Sequence, residues 1–437
     1  MKYITEPARE IPVAKECDVL ICGGGPAGFG AAIGAAKAGQ KVILIERNSI
    51  IGGMATAGLM SHWTGNTEGP LLDDLLERAR GTSTDYNYFG EKILQSKFII
   101  DHEKLSLTML KMLDEEGIEV MFYTQIADVI MQGNNILGVI VENKSGRQAV
   151  LAGKTIDATG DGDVACRAGA PYQLGRECDN AMQPVTLMMQ VSGVDYSRAI
   201  FPGEFEDNIE VPLGRIQDLA HACFENPMGH VLLYPSAIDG VVTVNMTNVT
   251  GVDGTDNSEI SRSQVTLRLQ VEKIIDFLHQ YAPGYEQCRL YRTASMIGVR
   301  ETRHFSCEYT ITEEDIEQAK VFDDWIATRC YFNFDIHNIE GSGLDKNGRQ
   351  NEFIQTERYT IPMRSLIPLK IENLLLAGRS IGGTHMAHSN FRAMAICLNI
   401  GQGAGICAAI ANKNNSTLRN NFYPDVRKEL TRQGVAV

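Results

Sequence analysis

The chain has 437 residues, 44% hydrophobic and 22% charged, with a formal net charge of −14 at pH 7. That length supports a large buried core and two domains. The acidic balance argues against a nucleic-acid partner and an anionic membrane surface.

Residues 1–17 have mixed charge and lack the apolar centre of a signal peptide. The most apolar run, residues 395–411, is interrupted by Asn399 and Gln402, and is expected to be too short and too polar to span a bilayer. Ten cysteines without a C-x-x-C spacing point to reduced thiols packed as small hydrophobes, to no metal site, and to the cytoplasm.

The first element is the apolar run 19–22, which suits a strand buried on both faces of a parallel sheet. Gly23, Gly25 and Gly28 follow in G-x-G-x-x-G spacing, and Pro26 and Ala27 open a helix expected to reach about residue 38. The second glycine has no Cβ to hold off a pyrophosphate. The helix N-terminus brings unpaired N–H groups and partial positive charge to it. Residues 41–45 read as the second strand and deliver Glu46, whose carboxylate suits a ribose 2′- and 3′-hydroxyl and disfavours a 2′-phosphate.

Arg47 and the loop Gly52-Gly53-Met54-Ala55-Thr56 come next. The glycine pair lets backbone pass close to a second part of the cofactor, while Thr56 offers a hydroxyl and Arg47 a charge. A short helix is expected over 70–80, then one over 103–116 capped by Asp101 and ended by Gly117, then a strand over 118–123. Three short strands, 127–132, 136–142 and 148–152, form an antiparallel meander after Ile126. A separate buried strand over 154–158 ends in Ala158-Thr159-Gly160, where backbone again approaches the cofactor.

Residues 178–355 read as an inserted α+β domain, with β-rich stretches at 184–192 and 230–250, a long amphipathic helix over 258–281, and a capping box at Thr312. A strand over 371–376 then runs into Gly378-Arg379. A helix is expected from Ser389 or Asn390 to about residue 411, with Gly401, Gly403 and Gly405 packed closely against the sheet or cofactor.

The layout of β-α-β, meander, and Ala-Thr-Gly strand end resembles the FAD-dependent oxidoreductases related to fumarate reductase and heterodisulfide-reductase flavoproteins. Matching motifs include residues 52–58, 156–163, 298–303, 335–337, 361–366 and 376–379. The resemblance implies an α/β fold, a two-dinucleotide-binding (Rossmann-like) FAD domain formed by 1–177 and 356–437, with 178–355 as the inserted α+β substrate/cap domain. It implies non-covalent FAD held by Gly23, Gly25, Pro26, Ala27, Gly28, Glu46, Arg47, Gly52, Gly53, Met54, Thr56, Ile126, Ala158, Thr159, Gly160, Gly378, Arg379, Arg392 and Ala393.

Two departures stand out. Arg379 occupies a place where many relatives carry an acid, so that contact must be remade. The chain also lacks the clustered cysteines of iron–sulfur relatives. No second nucleotide fold follows, so the other half-reaction must use oxygen, a diffusing nicotinamide or a protein carrier.

For chemistry, Gly382-Gly383-Thr384-His385 resembles a motif beside the flavin in fumarate reductases. His385 is a candidate acid or base and Arg392 a candidate carboxylate clamp. His337 follows Asp335 at a spacing that places both on one side of an extended segment. Arg300, Glu301, Arg303 and His304 form either a polar pocket wall or an ion-pair network at the domain junction. The leading expectation is hydride transfer between a small organic metabolite and flavin N5. The alternatives are a flavin-bound subunit relaying electrons to a carrier protein, and a tRNA-modifying flavoprotein, which the acidic charge opposes. A homo-oligomer is compatible with all three.

Overall fold

The computed structural model describes residues 2–80, 98–204, 207–420 and 422–436. Its main sheet grows from β1 (Val13–Cys22), which feeds α1 (Pro26–Lys37) and then β2 (Val42–Ile45). Among the described residues two helices follow, α2 (Pro70–Ala79) and α3 (His102–Glu115), the latter capped by the Asp101 side chain accepting from the Lys104 amide. Next come β3 (Glu119–Met121), β4 (Gln125–Gln132), β5 (Asn135–Asn143) and β6 (Gly146–Asp157). The order is β3-β2-β1-β6-β5-β4, with β1, β2, β3 and the end of β6 parallel and the β4–β5–β6 pairs antiparallel.

Two strands are longer than the apolar pattern suggests. β1 starts at Val13 because its polar first half is paired to Ala149–Ala152 of β6, so ladder hydrogen bonds rather than burial extend it. The third meander strand and the following buried strand are one element, β6. Gly138–Asn143 of β5 lines its first half, and its last residues sit between β1 and a later strand.

The inserted layer has its own core. Strands β7 (Met189–Ser192), β8 (Leu233–Pro235), β9 (Val241–Val244) and β10 (Arg289–Thr293) form an antiparallel sheet in the order β8-β9-β7-β10. The helix α4 (Asn257–Tyr281) lies on it, burying Val271, Ile274, Phe277 and Leu278 against Met189, Val191, Val242 and Val244. Two apolar positions of this helix, Val265 and Leu269, stand on its outer face, 59% and 68% exposed. This second core draws on residues from Met189 to Cys288. Phe305 through Phe334 and beyond pack instead with the main sheet.

The chain returns through β11 (Trp325–Cys330) and β12 (Leu374–Leu376), which adds parallel to β6. The expected single helix is two. α5 (His385–Phe391) ends at Arg392, and α6 (Met394–Lys413) starts afresh after Ala393. The break holds because Thr64 serves the new start: its hydroxyl accepts from the Met394 amide (3.2 Å) and its carbonyl from the Ala395 amide (3.0 Å). Asn390, in the last turn of α5, is tied through its side chain to Tyr359, Gln355 and the Phe332 carbonyl.

Two of the three α6 glycines pack against α1 and the third against a strand. A Cβ on Gly401 would overlap the Ala27 carbonyl oxygen, and one on Gly405 the Ala31 carbonyl oxygen; Gly403 meets Ile326 of β11. By length and composition α6 is apolar enough to cross a membrane, contrary to the expectation from Asn399 and Gln402, but its residues 394–411 are buried inside the protein. Six of the ten free cysteines are buried as expected; Cys178 and Cys223 are exposed, and Cys17 and Cys166 lie between.

Candidate active site

A cleft opens along the C-terminal ends of the parallel strands, the usual place for a ligand in an open α/β sheet. Its walls are the Gly23–Ala27 turn, Glu46, Arg47, Gly53, Met54, Ile126, the Ala158–Gly160 strand end, Gly378, Arg379 and Arg392. Of the residues expected around the cofactor, Gly28, Gly52, Thr56 and Ala393 stand behind this wall. Gly28 packs on the Gly23 carbonyl, Thr56 donates its hydroxyl to the Ile51 carbonyl (2.6 Å), and Gly52 rests on Thr56.

The cleft fits a dinucleotide. A Cβ at Gly25 would meet no atom within 4 Å, so the turn leaves open space where the backbone can approach a pyrophosphate. Gly25 also caps α1 without a side chain, leaving first-turn N–H groups for a ligand. Glu46 is buried and fixed: one oxygen accepts from the Gly24 amide (2.8 Å), the other from the Asn48 amide and side chain (2.8 and 2.9 Å). A carboxylate has about four acceptor sites and three are used, so one remains for a ribose hydroxyl.

Asp157, fully buried, takes three hydrogen bonds from Thr159 and the Ala165 amide and so shapes the Ala-Thr-Gly turn.

Arg379 lines the cleft, but its charge is met locally. Its Nη2 pairs with Asp161 Oδ1 (2.9 Å) and its Nη1 donates to the Arg300 carbonyl (3.2 Å). The acid missing after Ala377-Gly378 is thus present in the same cleft, supplied by the turn after β6. Sequence reasoning passed over Asp161, although it follows directly on the Ala-Thr-Gly strand end. It also passed over Met296, Ile297 and Val299, which the inserted layer contributes to the cleft just before Arg300.

The charged patch at 300–304 divides three ways. Arg303 turns to the cleft rim, where Nη1 reaches the Asp161 carbonyl (2.8 Å) and Asp163 (3.1 Å) and the guanidinium lies over Tyr172. Glu301 has a fully buried side chain. It accepts from His304 Nε2 (2.8 Å) and lies 2.6 Å from His385 Nδ1, while its second oxygen accepts from the Gln183 amide (3.1 Å). Burial alone would raise the Glu301 pKa, but its two histidine partners hold it well below the usual range. Burial works against protonated His385, yet Glu301 holds its pKa above the ordinary value. His385 is thus held in an ion pair with Glu301 and Arg303 in one with Asp163, and neither belongs to the cluster described next.

That cluster is formed by Arg300, Asp335, His337 and Arg392. Arg392 borders the cofactor cleft, and its Nη2 donates to both the Asp335 carboxylate and the Asp335 carbonyl (2.7 Å each). Asp335 Oδ1 lies 3.3 Å from His337 Nε2. Burial would raise the Asp335 pKa, but His337, Arg392 and Arg300 hold it ionised far below the usual range. His337 goes the other way: burial, then the charge of Arg300, push it down to about 4, so its imidazole is neutral near pH 7. Arg300 and His337 share a small polar cavity with Asn245, Thr247, Asn248 and Ser342. One residue earlier in the chain, Val299 faces the cofactor cleft.

A profile described as FAD dependent oxidoreductase matches residues 18–430. The chain belongs to that family. It is an FAD enzyme with a Rossmann-like α/β fold. It is 27% identical over 208 residues to the thiamine thiazole synthase of Sulfolobus acidocaldarius, covering 45% of this chain and 76% of the relative. It is 29% identical over 161 residues to digeranylgeranylglycerophospholipid reductase 2 of Methanothermobacter thermautotrophicus, covering 35% of this chain and 42% of the relative. With the fumarate reductase (cytochrome) of Shewanella frigidimarina it shares 43% identity, but over 60 residues, 13% of this chain and 10% of the relative. Several matched relatives are thus covered over less than half their length. Among solved structures, a geranylgeranyl bacteriochlorophyll reductase-like protein from Thermoplasma acidophilum aligns over 96% of this chain and 84% of its own, at 14% identity and TM-score 0.48.

Proposed function

We propose that this FAD enzyme transfers a hydride between a small organic metabolite and flavin N5, with the substrate held at the Arg300–Asp335–His337–Arg392 cluster. The observation that carries this reading is the position of Arg392. It borders the cofactor cleft and simultaneously grips Asp335, whose other oxygen faces His337. The polar cluster and the cofactor cleft therefore share a wall.

FAD supplies a two-electron hydride acceptor or donor when bound. The protein's own groups handle the proton and the substrate. His337 directs Nε2 towards Asp335, so the neutral tautomer with its hydrogen on Nε2 presents Nδ1 as the basic nitrogen. That Nδ1 takes a proton from a substrate hydroxyl or carbon acid as the hydride leaves, or returns it in the reverse direction. Asp335 orients the ring and stabilises it when it is charged, and Arg392 fixes Asp335. Met296, Ile297 and Val299 cover the cleft from the inserted layer and exclude water. An enclosed Arg/His cluster supports a substrate-handling enzyme over a relay subunit.

The test is anaerobic. The yellow holoprotein is mixed with polyols, hydroxy acids and saturated acids, and its flavin absorbance is followed. Bleaching by one class, slowed by His337→Ala, supports the reading. Bleaching that ignores His337→Ala removes the proton role.

A further inference from the structure

We propose that the cavity walled by Arg300 and His337 takes a carboxylate group of the substrate, a proposal that rests on the reading of this cluster as the substrate site. Size comes first. The cavity measures about 30 Å³, where ~10–15 Å³ admits one water, so it holds about two water-sized oxygens. Its wall offers donors to such oxygens: the Arg300 guanidinium, the Asn245 amide and the Ser342 hydroxyl, while the Asn248 amide and the Thr247 hydroxyl are spent on the Pro227, Gly341 and Leu187 carbonyls.

Charge comes second. Two guanidinium groups, Arg300 and Arg392, face one carboxylate, Asp335, and Arg392 is already joined to it at 2.7 Å. Arg300 has no ion-pair partner among the described residues. Its Nη1 donates to the neutral Pro184 carbonyl (2.6 Å), and its Nε and Nη2 carry no hydrogen bond there. Burial and the neighbouring Arg392 accordingly press its pKa down to about 10, still charged near pH 7. A partly buried cation whose facing carboxylate, Asp335, is already gripped by Arg392 is costly. The free Nε–Nη2 edge is the fork that binds a carboxylate through two parallel hydrogen bonds.

The surplus is one positive charge. That matches a carboxylate at −1 better than a phosphate monoester at about −1.5 to −2. A flavin phosphate does not fill the role, because the Arg300 side chain belongs to the cavity and not to the cofactor cleft.

The experiment uses FAD-loaded protein and titration calorimetry, with flavin difference spectra recorded in parallel. The probes are succinate, its neutral diamide and inorganic phosphate, each to about 50 mM, which detects binding as weak as millimolar. Wild type is expected to bind succinate in preference to the diamide and phosphate. Arg300→Gln should weaken succinate by about 30-fold or more, with Arg300→Lys between, and FAD content unchanged. If Arg300→Gln does not fold, Arg300→Lys and the succinate–diamide comparison on wild type still decide. The proposal is overturned by equal affinity for succinate and its diamide, by tighter phosphate binding, by no succinate binding, or by an arginine variant that binds succinate as wild type does. Those results leave metabolite-driven bleaching of the flavin intact. Arginine-dependent succinate binding without bleaching by any donor overturns the redox reading and leaves the carboxylate site standing.

Discussion

The two sides of the cleft are built on opposite principles. The nucleotide side is mostly backbone: a glycine turn, a helix start and one acid, all within Gly23–Glu46. The cluster beyond it is side chain, four charged or titratable groups brought from Arg300, Asp335, His337 and Arg392. The first depends on backbone left open to the ligand, and its one acid, Glu46, is already held by Gly24 and Asn48. The second tolerates volume changes but stands on a charge balance that one substitution tips. The difference predicts two kinds of failure, one steric and one electrostatic.

The largest expected effect is on turnover. His337→Ala removes the proposed base and should lower the rate of flavin reduction by a bleaching substrate by about 10²–10⁴-fold. FAD content should stay at the wild-type level, because His337 does not touch the cofactor cleft. A variant that loses FAD as well would show that the two sides are not separable.

Next is the buried Glu301 triad. Glu301→Ala strands two imidazoles in the core, and its cost to unfolding free energy should be about 3–5 kcal/mol, read by urea denaturation. Its pH dependence has a definite sign. Glu301 is held below its ordinary 4.5, so its contribution is full above that value and is lost as pH falls through the folded one. His385 is held above its ordinary 6.5, so its contribution is full below 6.5 and is lost as pH rises through its folded value. The stability gap between wild type and Glu301→Gln should therefore be widest between 4.5 and 6.5 and shrink on both sides. A gap flat from pH 3 to 9 would mean the pairs contribute nothing.

A steric probe sharpens the other side. Gly25→Val adds a side chain in open space, so apo stability should change by less than about 1 kcal/mol. FAD affinity should nevertheless fall by about tenfold or more, since the added methyls occupy the pyrophosphate approach. Gly28→Val is the control: its Cβ overlaps the Gly23 carbonyl, so it should damage folding itself.

This division also explains what was legible in the sequence. The glycine turn, Glu46 and the strand end at Ala158-Thr159-Gly160 could be read because their geometry is local: spacing along the chain fixes spacing in the cleft. His337 with Asp335 could be read for the same reason, two residues apart on an extended segment. The partner of Arg379 could not, because Asp161 reaches it across 218 residues. Nor could the fate of His385 against that of Arg300. Arg300 lies in a patch that reads equally well as pocket wall or ion-pair network and His385 in a motif that reads as an acid or base, and the contact of Glu301 with His385 spans 84 residues of chain. The meander was found by its turns, but its continuation into β6 was hidden because Gly153 reads as a break while the backbone runs straight through it.

The smallest expected effect bears on the break between α5 and α6, which brings Arg392 and Met394 to the cleft wall. A continuous helix from residue 389 would carry Arg392 round with its neighbours instead of ending a helix there. Thr64 satisfies the start of α6 through both its hydroxyl and its carbonyl, and only the hydroxyl depends on the side chain. Thr64→Val is nearly isosteric, removes one of those two acceptors, and should cost about 1 kcal/mol, with FAD retained. Loss of FAD or of the Arg392 contribution at so small a stability cost would mean that the hydroxyl, rather than the packing of Gly401 and Gly405 on α1, sets where α6 begins. Retention of both would place that control in the glycine contacts, where the nucleotide side and the charged cluster meet through a single helix.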